Sequence, residues 1–220
     1  MNLIVYTGGL EQANGYLFLQ GADSVLIDAP AGCAGWLAER LAEEPRGALQ
    51  ALILTHGHYD HIYDASHIKK TTGCEILAHE ADRKMMTTPL LQTLFGAPLV
   101  KAVTPDRTVA GGERLKFGNL EMRVEHVPGH TPGHIALVVE KEKAVFTGDL
   151  IFAGSVGRTD FPGGSFEALL DSIREKIISL PDDFTIYPGH GPKTTVARED
   201  RTNPFINDFP ARDGDGPEWA

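Results

Sequence analysis

The chain has 220 residues, enough for one domain of residues 1–220 whose folding buries roughly seventy per cent of the unfolded surface. Its 30 acidic and 20 basic residues give a formal charge of −10, which opposes affinity for nucleic-acid phosphates. No apolar run approaches the roughly eighteen residues needed to span a bilayer, and the first residues lack the basic start and cleavage site of a signal peptide, so membrane insertion and export are disfavoured.

Strand-like runs come first, at Leu3 to Thr7, Tyr16 to Gln20 and Ser24 to Asp28, followed by a helical pattern from Ala34 to Glu44. A further strand, Leu49 to Thr55, leads into Thr55-His56-Gly57-His58-Tyr59-Asp60-His61. Next, Ile62 to Thr72 reads as helix, Glu75 to Ala78 as strand, and Glu80 to Met86 and Pro89 to Phe95 as short helices between turn signals. A second block places strands at Arg114 to Phe117, Leu120 to Val127, His134 to Glu140 and Ala144 to Thr147. The clearest helix is Phe166 to Leu180, with Phe166, Leu169, Leu170, Ile173 and Ile177 in one apolar stripe behind an N-cap at Ser165. Cys33 and Cys74 fall in separate segments without CxxC spacing. They read as small buried hydrophobes in a reducing cytoplasm, with no disulfide framework.

The chemistry concentrates after His56. Three imidazoles and a carboxylate within six residues suit zinc, iron or manganese, and alternate residues of an extended segment share a side, so His56 and His58 can reach one ion. Asp60 and His61, one step beyond, are placed to serve a second. Downstream stand Pro128-Gly129-His130-Thr131-Pro132-Gly133-His134, Thr147-Gly148-Asp149 and Tyr187-Pro188-Gly189-His190-Gly191, each a glycine-bracketed ligand type after an apolar run. His126 and His134 flank His130 and read as groups that orient ligands or pack beneath the loop, whereas His67 and His79 read as surface or capping residues.

In motif order and nearly whole length, the sequence resembles the metallo-β-lactamase superfamily. The resemblance implies an α/β fold, a four-layer αββα sandwich with ligands on loops at one sheet edge. It implies that His56, His58 and His130 hold one metal, that Asp60, His61 and His190 hold the other, and that Asp149 bridges both. Two divalent ions so held supply a hydroxide near neutral pH and polarise a carbonyl oxygen. Asp60 and Asp149 are then the catalytic carboxylates, Asp149 by keeping the ions together and Asp60 by orienting the hydroxide.

Within the superfamily the sequence is most like glyoxalase II-type hydrolases of glutathione thioesters, through Pro128 to His134 and Gly154 to Pro162. A thiolate leaves readily because the thiol pKa lies near about 8.5, so no strong general acid is demanded. Arg158 reads either as a fork for a substrate carboxylate or as half of a buried pair with Asp160, and Lys193 as a weaker substrate contact. Only 30 residues follow His190, which resembles the short bacterial type and leaves glutathione recognition open. The expected partner is a small thioester, met by a monomer or small homo-oligomer. Two other reactions share the motifs: persulfide oxidation on one iron held at His56, His130 and Asp149, and lactone or ester hydrolysis on the same centre.

Overall fold

The computed structural model describes residues 2–207, so the two ends of the expected 1–220 domain lie outside it. The chain forms two compact units, one built on residues up to Val109 with Leu115–Glu121, the other on Ala110–Arg114 and the residues from Met122 onward.

The first unit contains a six-stranded sheet in the order β1 (Leu3–Gly8), β2 (Ala13–Phe18), β3 (Ser24–Ile27), β4 (Leu49–Ile53), β5 (Glu75–His79), β6 (Arg107–Val109). The first three strands pair antiparallel and the last three join in parallel. Parallel pairing needs crossovers, supplied here by α1 (Cys33–Glu43), then α2 (Tyr59–Ile62) and α3 (Ala65–Thr72), and further on α4 (Arg83–Thr87). Leu17, Leu26, Leu37, Leu52, Ile62, Ile68 and Ile76 pack into one buried cluster that joins sheet to helices. Cys33 and Cys74 lie in this cluster as free thiols, and burial pushes both thiols up from their ordinary range. They are the small hydrophobes expected.

The single helix expected over Ile62 to Thr72 is instead α2 and α3, with a break at Tyr63-Asp64. Tertiary bonds explain the break. Ala29 N–H donates to the His61 carbonyl at 2.7 Å, Asp64 N–H donates to the Ala29 carbonyl at 2.9 Å, and the Asp64 carboxylate accepts Ala34 N–H at 2.9 Å. Asp64 thus neutralises an orphan donor at the start of α1, which the Gly32 cap leaves without side-chain help.

The second sheet takes its order from β7 (Arg114–Phe117), β8 (Leu120–His126), β9 (Ile135–Val139), β10 (Ala144–Gly148), β13 (Thr185–Pro188) and β14 (Thr194–Thr195), running from β14 through β13, β10, β9 and β8 to β7. A two-stranded ribbon, β11 (Ile151–Phe152) and β12 (Ser155–Val156), follows β10. The helix at Ser165 begins as expected, with the Ser165 hydroxyl accepting Ala168 N–H, and runs as α5 (Phe166–Ser172) before widening to a π-helix over Ile173–Ile178. Leu169, Leu170, Ile173 and Ile177 bury against Val138, Val145 and Ile186 of the sheet. The later helices α6 (Val196–Thr202) and α7 (Pro204–Asn207) cover Val196 and Ile206 in the same cluster.

Gly129 shows how closely this unit is packed. It sits at φ +139°, and a Cβ there would meet the Leu169 Cα and N at 2.3 Å, both backbone atoms of α5. Gly129→Ala is expected to destabilise the protein by about 2 kcal/mol or more in urea unfolding, since neither strain nor overlap can relax without moving α5. A wild-type midpoint would show that the loop before His130 yields.

Candidate metal centre

Strand direction delivers the ligands. In the first unit β3 and β4 are parallel neighbours, so their carboxyl ends lie side by side: β3 is followed by Asp28 and β4 by Thr55 to His61. Asp28 N–H donates to the Ile53 carbonyl at 3.0 Å, and Asp28 itself adopts φ +59°, a left-handed conformation that Asp tolerates better than most residues. This turns its carboxylate onto the histidine loop. Asp28 Oδ1 accepts Thr55 N–H at 2.8 Å, while Oδ2 accepts the Thr55 hydroxyl at 2.7 Å and faces His61 Nδ1 at 2.8 Å.

These bonds fix tautomers. A carboxylate can only accept, so His61 carries its proton on Nδ1. The Thr55 proton is committed to Asp28, so Thr55 Oγ1 accepts from His56 Nδ1 at 3.0 Å. Both rings therefore offer Nε2 as the lone-pair atom for a metal ion. The rings of His56 and His58 stand edge to face with centroids 4.9 Å apart, and those of His56 and His61 are 4.3 Å apart. His61 Nε2 is 3.5 Å from Asp60 Oδ2.

The second unit repeats the logic. β10 and β13 are parallel, with Gly148 paired to Pro188, and Gly189 N–H donates to the Gly148 carbonyl at 2.7 Å; Asp149 and His190 therefore leave adjacent strand ends together. β8 is antiparallel to β9, which is antiparallel to β10, so β8 also points its carboxyl end, and His130 beyond it, to this edge. His130 Nδ1 donates to the Arg158 carbonyl at 2.7 Å, again presenting Nε2. Asp149 N–H donates to His134 Nε2 at 3.1 Å, so His134 holds the main chain of the Asp149 turn. His126 Nε2 lies 2.9 Å from the Pro132 carbonyl and braces the loop from below.

One atom stands at the centre of this half. Asp149 Oδ2 is 3.6 Å from His130 Nε2 and 3.4 Å from His190 Nε2. Together with the Asp60–His61 pair, these separations are longer than good hydrogen bonds yet close to the roughly 3.4 Å between two ligand atoms that each sit about 2.1 Å from a tetrahedral ion. The residues fit a metal. Among the described residues, the groups of three His and Asp side chains able to hold an ion draw on His56, His58, Asp60, His61, His130, Asp149 and His190, the set nominated from sequence.

The two nominated substrate contacts look different. Arg158 Nε and Nη2 bond Asp160 Oδ1 and Oδ2 at 2.7 and 2.6 Å, and the guanidinium lies 4.0 Å from the Phe161 ring centroid. The pairing with Asp160 is as foreseen, but it is exposed, not buried, because both residues sit on the surface of the loop that follows β12. The bond from Arg158 holds the Asp160 carboxyl below its ordinary range. Lys193 is exposed, with Nζ 6.0 Å from the Tyr187 ring centroid.

Several residues of the site had not been nominated. Asp28 is the main one. Asp82, buried, accepts Gly57 N–H at 2.9 Å, and buried Glu199 accepts Gly154 N–H at 2.8 Å and the Thr194 hydroxyl at 2.6 Å, steadying the ribbon after Asp149. The only local signal was an acidic residue at the edge of an apolar run, as in Leu26-Ile27-Asp28.

A family profile described as the metallo-beta-lactamase superfamily matches residues 8–190, a span that includes all of these ligands. The chain belongs to this superfamily. It is thus a metal-binding hydrolase of the metallo-β-lactamase fold, with the mixed α/β architecture and two multi-stranded sheets of its structural neighbours. Hydroxyacylglutathione hydrolase GloC of Haemophilus influenzae is 40% identical over 210 residues, covering 94% of this chain and 99% of that protein. The B3 metallo-β-lactamase BLEG-1 superposes with a TM-score of 0.86 at 30% identity, covering 93% of this chain and 99% of its own. TTHA1623, whose crystal structure is in a di-iron-bound form, gives a TM-score of 0.80 at 36% identity over 92% of this chain and 99% of its own. Among the described residues no helix is long and apolar enough to cross a membrane.

Proposed function

We propose that the chain is a dinuclear thioesterase of the cytoplasm that hydrolyses S-acylglutathione, S-lactoylglutathione being the reference substrate. His56, His58 and His130 would hold one ion and Asp60, His61 and His190 the other, with Asp149 shared. The observation that carries the dinuclear reading is Asp149 Oδ2, which stands at ligand-edge distance from both His130 and His190. The substrate reading is supported by the identity to the Haemophilus hydroxyacylglutathione hydrolase across nearly the whole of both chains. Zinc, iron and manganese all suit this donor set, and the di-iron form of TTHA1623 speaks for iron among them.

When bound, such a pair of ions lowers the pKa of water and draws charge from a carbonyl oxygen. The chain's own residues do the rest. Asp28, through Thr55, and the Arg158 carbonyl lock the imidazoles in the tautomer that offers Nε2, and His134 holds the Asp149 main chain. Asp60 would orient the attacking water. The leaving thiolate needs no strong acid, which agrees with a donor set made only of imidazoles and carboxylates. A single-iron oxygenase would use only His56, His130 and Asp149, and would leave the 3.5 Å Asp60–His61 arrangement without a purpose.

The test is thiol release from S-lactoylglutathione by metal-replete protein under argon, with chelated protein as the blank. Metal-dependent release without oxygen supports the reading. No release, together with oxygen uptake on glutathione persulfide, would replace it with the oxygenase. Arg158 completes the proposal as the contact for a substrate carboxylate. Arg158→Ala should raise KM about tenfold with kcat and the melting temperature near wild type, because an exposed ion pair adds little to stability. An unchanged KM with a lower melting temperature would assign Arg158 to the loop alone.

A further inference from the structure

From Met85 to Val100 the chain carries no charged side chain, and although Met86 and Val100 are buried, five other large apolar residues turn outward. Leu90, Leu91, Leu94, Phe95 and Leu99 are 60, 46, 78, 55 and 67% exposed. Isolated apolar residues on a surface need no explanation, but five within ten positions do. The 3-10 helix Pro89–Phe95 that presents four of them is not loosely attached. Gln92 Nε2 donates to the Gly57 carbonyl at 2.9 Å and Gln92 Oε1 accepts Tyr59 N–H at 2.9 Å. One side-chain amide brackets His58.

A sixth exposed apolar residue lies one position from another contact with the same tripeptide. Leu10, 88% exposed, sits in the turn between β1 and β2, and its neighbour Glu11 is hydrogen-bonded to the Tyr59 side chain. Polar groups at both places are spent on anchoring to Gly57-His58-Tyr59, and leucine and phenylalanine side chains are left facing water. An exposed apolar surface fastened to the histidine loop is suited to the apolar part of a substrate.

We propose that Leu10 and the Pro89–Leu99 segment form an apolar lip that receives the acyl chain, so that the preferred thioesters carry an extended hydrocarbon acyl group in place of lactoyl. This rests on the thioesterase reading. Glutathione is a charged tripeptide, which an uncharged leucine-rich surface does not recognise; the acyl chain is the half whose transfer out of water such a surface favours.

S-methylglutathione and S-hexylglutathione are thioethers that hydrolysis cannot cleave, so calorimetric titration into the metal-replete full chain reads the lip without turnover. A buried methylene is worth about fourfold in affinity, and even partial burial should make the hexyl compound at least about tenfold tighter. Leu94→Ser and Leu10→Ser should each remove most of that advantage and leave S-methylglutathione affinity unchanged. Equal affinity for the two thioethers, binding of neither, or a hexyl advantage untouched by both substitutions would overturn the proposal. Hydrolysis of S-lactoyl- and S-hexanoylglutathione at equal kcat/KM would likewise sink the lip while keeping the thioesterase. Leu94-dependent hexyl binding without hydrolysis of either ester would do the reverse.

Discussion

Asp149→Ala is expected to lower thioester turnover by about a thousandfold or more, with metal content falling in the same samples. The side chain supplies the one oxygen that stands 3.6 Å from His130 Nε2 and 3.4 Å from His190 Nε2, and no neighbouring carboxylate duplicates that position among the described residues. Folding should survive. The contact that holds this turn to His134 is made by the Asp149 backbone N–H, which alanine retains, and the loop beyond is held separately by Glu199 on Gly154. Circular dichroism and melting temperature near wild type, combined with lost turnover, is the expected pattern. Full turnover with unchanged metal content would remove Asp149 from the centre.

The second large effect is expected where no ligand is touched. Asp28→Ala leaves Thr55 N–H, the Thr55 hydroxyl and His61 Nδ1 without their common acceptor, inside a region where Asp28, Thr55, His56 and His61 are all buried. Leaving buried donors unsatisfied costs about 1–3 kcal/mol apiece, so a loss of about 3 kcal/mol or more in urea unfolding is expected. Metal affinity should fall about 10- to 100-fold as well, because His56 and His61 lose the bonds that fix which nitrogen faces the ion. Asp28→Asn, which keeps an acceptor oxygen in the same place, should recover part of the stability but less of the metal affinity. Equal behaviour of both variants and wild type would show that the histidines are oriented by something other than this carboxylate.

These two aspartates mark the boundary of what could be read from the sequence. Asp149 was legible because glycine, a strand end and three other ligand clusters surround it in a recurring order. Asp28 was not, since a lone Asp closing an apolar strand looks like any turn residue until β3 is known to lie parallel to β4, which places its carboxylate beside Thr55 and His61. The bond from His130 to Arg158 is harder still to foresee. The Arg158 guanidinium pairs with Asp160, whereas the group that touches His130 is the Arg158 main-chain carbonyl.

The same division runs through the secondary structure. Strands with clear alternation, such as Arg114–Phe117, or with a continuous apolar run, such as Ala144–Gly148, lie where pattern and propensity put them. β2 starts three residues before the expected Tyr16, because six residues of register with β1 carry Ala13, Asn14 and Gly15 into the sheet despite their poor strand propensity. β11, β12 and β14 are two residues each, too short to leave a periodic trace, and exist through their pairing partners. The break between α2 and α3 comes from bonds to Ala29 and Ala34, more than twenty residues away in sequence, which no local pattern encodes.

Two ions per chain, held by these seven side chains as proposed, can be counted. Wild-type protein loaded with zinc or iron, dialysed free of excess and analysed by inductively coupled plasma mass spectrometry against its protein concentration, should contain two metal equivalents per chain. One equivalent that persists under saturating metal, with Asp60→Ala and His190→Ala leaving it unchanged, would contradict the dinuclear centre and the hydrolytic function built on it.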